Sequence, residues 1–245
     1  MGRVWDPFLT EQDRAHLALR ERPRKGFGQR PALLLIDLYR AVYGDAPQPL
    51  LEAVKDWPST CGMAAWDALP AIQRLLAAAR SRGIPVIHTT GLDEAKEYRG
   101  IGRETNLDPA AADRERRRYQ IIDEVAPLPG EFVVRKASPS CFWGTPLVGY
   151  LTSLGIDTLI VGGESTSGCV RASVVDGSTY RYRVIVAEEC VFDRHQMCHA
   201  VNLFDMHQKY ADVLPLNDVL SYLDARPAAG AETRPATAPP VLAAR

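Results

Sequence analysis

The sequence predicts an α/β protein, a three-layer α/β/α sandwich around a mostly parallel, Rossmann-like six-stranded sheet. Three observations predict it. "PALLLID", residues 31–37, is an almost unbroken apolar run, which fits a strand covered on both faces better than one with a wet side. Similar runs recur with helical stretches between them at a spacing of roughly 25–28 residues, the rhythm of right-handed βαβ units. The chain of 245 residues, 46% hydrophobic and 24% charged, is long enough to bury a large core.

Each element has a local reason. Residues 9–22 form a short helix that Thr10 can cap, with Glu11 and Asp13 in its first turn. With the basic "RPRKGFGQR" behind it, residues 1–28 make an N-terminal helical arm, and the main domain spans 29–225. A helix over about residues 65–82 ends at Gly83, and "IPVIHTT" is the next strand. Residues 92–120 are charged and irregular and read as a long surface excursion. "FVVRK" is a strand, "TPLVGYLTSLG" a helix closed by Gly155, and "DTLIVGG" a strand. A helix from about residue 167 leads to "YRVIVAEE". Another over about 196–210, the short "ADVLPL" and a last helix near 216–224 complete the domain. The tail 226–245 is rich in Pro and Ala without a periodic apolar face; disorder is expected, with an arm docking on a neighbouring subunit as the alternative.

Composition narrows the function. A net charge of −1 argues against a nucleic-acid partner, whose phosphates need a basic excess. No apolar run approaches the roughly 20 residues that span a bilayer, and "MGRVWDPFLTEQDR" lacks a signal peptide's apolar core. A cytoplasmic protein without membrane contact is expected. The cysteines at 61, 141, 169, 190 and 198 are odd in number and lack the paired spacing of a zinc ribbon or disulfide framework, so reduced thiols are expected. Gly162 and Gly163 show neither a G-x-G-x-x-G nor a Walker pattern and read as a tight turn.

Ligands of open α/β sheets collect beyond the carboxyl ends of the strands. There the first strand ends at Asp37, "FVVRK" at Lys136, and "DTLIVGG" runs through a small polar loop to Cys169. An aspartate can take a thiol proton, and a lysine ammonium and a helix N-terminus both favour the sulfur anion. Placed in the first turn of its helix, Cys169 would stand among unpaired N–H groups able to hold an oxyanion. The competing reading is a packed cysteine, an N-capping Asp and a surface Lys.

"ALLLIDLYRA", "VVRKASPSCFWGTPL" and "VGGESTSGCVRASVVDG" together resemble the isochorismatase-like cysteine hydrolases over about residues 28–224. The resemblance implies a catalytic triad of Asp37 as base, Lys136 as charge-stabilising group and Cys169 as nucleophile, with no cofactor. It also implies a cis peptide between Glu164 and Ser165, beside an oxyanion site formed by the Ser165 and Cys169 N–H groups. The "TSGCVRA" loop and "FDRH…NLFDMHQKYADV" are most similar to the N-carbamoylsarcosine amidase branch, which implies hydrolysis of a small N-carbamoyl amino acid with release of ammonia. By the same comparison Arg194 binds the substrate carboxylate, and assembly is homo-oligomeric, a tetramer. A maleamate-type amidase, an ether hydrolase that does not need the cysteine, and a non-catalytic member remain alternatives. "DLYRAVYGD" holds no histidine, which argues against the metal site of nicotinamidase-type members. Glu164 departs from the smaller or apolar residue usual there; pointing inward, it would oppose an anionic substrate or favour a cationic one.

Blander readings apply elsewhere. The other four cysteines are expected to be packed thiols. His195 and His199 stand four apart with no third ligand in view, so no metal is expected. A solvated surface charge is the alternative reading of Arg194. Trp143 reads as core or interface, with pocket lining as the alternative, and "DRERRRYQ" as a solvated face.

Overall fold

Strand β1, Pro31–Ile36, is buried at every position. Its side chains alternate between two cores, with Leu33 and Leu35 in one and Ala32, Leu34 and Ile36 in the other. A strand with no wet face must do this, because successive side chains point to opposite sides. The computed structural model describes residues 2–19, 22–92 and 109–227.

The other strands are β2 (Val86–Gly91), β3 (Phe132–Lys136), β4 (Thr158–Glu164), β5 (Arg183–Phe192) and β6 (Asp212–Leu214). They stand in the order 3-2-1-4-5-6, and every neighbouring pair is parallel. The described helices are α1 (Glu11–Leu19), α2 (Arg40–Tyr43), α3 (Leu50–Ala53), α4 (Met63–Ser81), α5 (Pro109–Arg117), α6 (Leu147–Ser153), α7 (Arg171–Thr179), α8 (Gln196–Lys209) and α9 (Leu216–Asp224). Apolar side chains of α4 and α9 cover one face of the sheet, and those of α6, α7 and α8 cover the other. The sandwich is therefore the expected one, with a sheet parallel throughout. Among the described residues no helix is long and apolar enough to cross a membrane.

The excursion expected over 92–120 is partly helical. Residues 93–108 lie outside the described residues, but α5 carries no buried side chain and is held instead by charge. Arg117 bridges Asp113 at 2.7 Å and Asp45 at 2.8 Å, and Arg114 reaches Asp56 at 3.4 Å. "DRERRRYQ" is thus a network of pairs rather than a merely solvated face. Before α1, Thr10 Oγ1 accepts from the Asp13 N–H and the Asp13 carboxylate accepts from the Thr10 N–H, a reciprocal cap. Trp5 is buried against Phe204 and His207 of α8 and ties the N-terminal segment to the domain. Residues 20–21 and the tail from 228 lie outside the described residues.

The strand order positions the site. The chain leaves β1 toward β2 and leaves β4 toward β5, in opposite directions, which opens a crevice beyond their carboxyl ends. Gly163 stands directly beneath it with φ +118°, and a Cβ there would lie 2.0 Å from the Ile36 carbonyl oxygen. Only glycine permits this approach of β4 to β1.

Candidate active site

Asp37 is the first residue beyond β1. It adopts a left-handed φ of +58°, a conformation that aspartate tolerates better than bulky residues do. Its N–H donates to Thr89 Oγ1 at 3.1 Å, and the Thr89 hydroxyl donates to Asp37 Oδ1 at 2.7 Å. The carboxylate, in a residue only 1% exposed, is thereby fixed in direction. Lys136 closes β3, two strands away from β1. Its Nζ lies 2.6 Å from Asp37 Oδ2, 3.2 Å from the Ser138 carbonyl oxygen and 3.3 Å from Cys169 Sγ. An ammonium has three protons to donate, and all three have a partner here.

Cys169 is half-buried, in a π-type turn over Thr166–Val170 rather than in the first turn of the α-helix that follows. A Cβ at Gly168 would meet Ser165 Oγ at 2.4 Å, so a larger residue there would force the serine side chain to turn aside. The turn is tied to the start of α8. The Ser167 N–H and hydroxyl both donate to Asp193 Oδ2, at 2.8 and 2.7 Å, and Thr166 Oγ1 hydrogen-bonds His199 Nδ1 at 2.8 Å.

Burial pushes the Cys169 thiol up to about 12; the Asp37 charge adds to this, and the Lys136 ammonium pulls only partly the other way. The lysine favours the anion, as anticipated, but is outweighed, so the resting sulfur is a thiol. Burial opposes the Lys136 charge, yet the Asp37 carboxylate and the sulfur beside it hold the ammonium above its ordinary value. The resting site is an ammonium–carboxylate pair with a neutral thiol against it.

The remaining predicted residues fall in different places. Glu164 and Ser165 are joined by a cis peptide. Glu164 ends β4, is 4% exposed, and points inward to Arg194, with Oε1 3.0 Å from Arg194 Nη2. The Cys61 thiol donates to the same oxygen at 3.7 Å. Burial raises the Glu164 carboxyl to about 7 against the pull of Arg194. Arg194 also donates to the Ser59 carbonyl. Its Nη2 is therefore engaged by the chain itself rather than simply solvated. Trp143 is 57% exposed in the loop after β3, which excludes a core role. His195 is exposed at the N-cap of α8 while His199 faces Thr166, and among the described residues no group of three His, Cys, Asp or Glu could hold a metal. Cys61, Cys141 and Cys190 are buried, and Cys198 is half-buried.

Sequence reasoning passed over Thr89 and Asp193. The rule that led to Asp37 and Lys136 could have found both, because "IHTT" and "VFD" end at the same edge of the sheet.

Residues 31–218 match the isochorismatase domain. The chain belongs to the isochorismatase family. The matched span includes all six strands and the Asp37, Lys136 and Cys169 cluster. Among isochorismatase relatives, a maleamate amidohydrolase from Pseudomonas putida is 37% identical over 82% of this chain and 90% of its own. An N-carbamoylsarcosine amidase from an Arthrobacter species is likewise 37% identical, over 83% of this chain and 75% of its own. The crystal structure of N-carbamoylsarcosine amidase from Thermoplasma acidophilum shares the fold, with a TM-score of 0.58 and 24% identity over 77% of this chain and 98% of that one.

Proposed function

We propose that this isochorismatase-family amidohydrolase uses Cys169 as a nucleophile to release ammonia from a small carbamoyl or amide compound. One observation carries the reading: Lys136 Nζ stands between an aspartate, at 2.6 Å, and a cysteine sulfur, at 3.3 Å, at the crevice of the sheet. Because the thiol sits high, little free thiolate exists at neutral pH. The proton therefore passes to Asp37 as the sulfur–carbon bond forms. Lys136 stays charged and follows the negative charge from carboxylate to sulfur. The Ser165 and Cys169 N–H groups receive the oxyanion. Asp37 then gives its proton to the departing ammonia, and water activated by the same group releases the acyl or carbamoyl moiety from sulfur.

The first substrate reading is a small N-carbamoyl amino acid skeleton, supported by the Arthrobacter relative. A maleamate-type acid is the second, supported by the equally identical Pseudomonas relative. Ammonia release from a panel of carbamoyl amino acids, maleamate and nicotinamide is the test, with Cys169→Ala as control. Turnover of at least one carbamoyl compound or maleamate, abolished in C169A, is expected. Turnover that survives in C169A would replace this reading with cysteine-independent hydrolysis.

A further inference from the structure

We propose that Glu164 is a specificity-determining residue: it occupies Arg194 from within, so the pocket favours substrates whose end facing Arg194 carries no negative charge. The proposal rests on the amidohydrolase reading above and concerns the far end of that substrate. An arginine fork suits one carboxylate well, and here a carboxylate of the chain itself is already in place. Glu164 Oε1 lies 3.0 Å from Arg194 Nη2, with only 6% of the glutamate side chain exposed. The pair is held from several sides. The Ser59 carbonyl accepts from Arg194 Nη2, the Cys61 thiol donates to Glu164 Oε1 at 3.7 Å, and the Arg194 N–H donates to Asp193 Oδ1 at 2.8 Å.

Charge count points the same way. Around Glu164 stand Arg194 and, within electrostatic reach, the carboxylates Asp37 and Asp193. With Lys136 paired to Asp37, two cations face the Asp37 and Asp193 carboxylates and a Glu164 carboxyl that is part-charged near neutral pH, before any substrate arrives. A substrate carboxylate would add a further anion to a partly desolvated site, where like charges repel far more than in water. An ester, an amide or a hydroxyl at that position adds none.

The test is binding to the uncleaving Cys169→Ala chain, with N-carbamoylsarcosine and its methyl ester titrated calorimetrically. In C169A the ester is expected to bind more tightly than the acid. Adding Glu164→Gln should tighten the acid by about tenfold or more and leave the ester within about twofold, 1.4 kcal/mol corresponding to each factor of ten. An acid bound more tightly than its ester in C169A alone would overturn the proposal, whether or not the double variant folds. So would an acid affinity unchanged or weakened in a folded C169A/E164Q chain, or failure of both ligands to bind. Ammonia release by the native chain from the ester, the acid and maleamate is read in parallel. Silence there removes the amidohydrolase reading, while the order of the two affinities still decides the role of Glu164.

Discussion

Two clusters at the carboxyl ends of the strands have the same ingredients: a carboxylate, a cation and a cysteine. In one, Lys136 lies 2.6 Å from Asp37 and 3.3 Å from Cys169. In the other, Arg194 lies 3.0 Å from Glu164, whose same oxygen faces Cys61 at 3.7 Å. What separates them is access and wiring rather than composition. Cys169 is half-buried in a turn above the crevice, whereas Cys61 is 2% exposed within the apolar core. In the first cluster the cation touches the sulfur, so charge arriving on sulfur has a counter-ion in place. In the second the carboxylate touches the sulfur, and a thiolate there would face an anion. Burial first, and then Glu164, push the Cys61 thiol far above its ordinary value. Under the proposed mechanism the same residue types make a reactive site in one place and a structural one in the other.

The largest predicted effect breaks the comparison outright. Cys169→Ala should lower kcat by about 10⁴-fold or more, since the covalent route is lost, whereas Cys61→Ala should keep kcat within about threefold. Steady-state ammonia release measures both, and equal losses would erase the distinction. Next in size, Lys136→Met should cost about 10²–10³-fold in kcat, because it leaves a buried carboxylate without its partner and the developing thiolate without a counter-ion. A loss confined to KM would assign Lys136 to substrate binding instead.

A pH experiment sharpens the same contrast. With the Cys169 thiol near 12, alkylation by iodoacetamide should quicken about tenfold per pH unit from pH 7 to 10 without levelling, whereas an ordinary thiol near 8.5 levels above pH 9. Asp37 raises the thiol, so Asp37→Asn should move the levelling point down and speed alkylation near neutral pH, even as turnover falls. Mass spectrometry of the labelled peptide follows both. Slower alkylation of D37N would show that the carboxylate does not hold the proton on sulfur.

Much of the first cluster was legible in the sequence, and almost none of the second. Asp37, Lys136 and Cys169 each follow an apolar run, and parallel strands bring such ends to one edge whatever their separation in the chain. The boundaries of "FVVRK" and of the last helix agree with the structure because both carry a periodic signal: Val134 and Lys136 are buried while Val133 and Arg135 are exposed, and the last helix buries Leu216, Val219 and Leu223. Helix α5 was missed because its support is ionic and distant, from Asp45 and Asp56, with no apolar stripe to betray it. The one-turn helices α2 and α3 are too short to show a period. The Glu164–Arg194 pair depends on strand register. Glu164 stands opposite Phe192 across β4 and β5, and this puts Arg194 just past the strand end beside it. Neither residue type nor spacing announces that alignment; a one-residue slip would turn the arginine away.

The smallest effect probes what Cys61 contributes if it is not chemistry. Its sulfur fills volume in the core cluster that also holds Leu38, Val42 and Tyr43 and gives one weak hydrogen bond to Glu164. Replacing it with alanine removes a single heavy atom, and the Glu164 oxygen keeps its stronger partner in Arg194. The expected cost is therefore about 1 kcal/mol, from a small cavity and one lost contact, seen as a fall in Tm of about 2–4 °C for a chain of this size. A loss several times larger, measured by thermal unfolding monitored by circular dichroism, would mean that the thiol supports the Glu164–Arg194 pair itself. In that case the affinity of C61A for acidic ligands should shift in the same direction as that of E164Q.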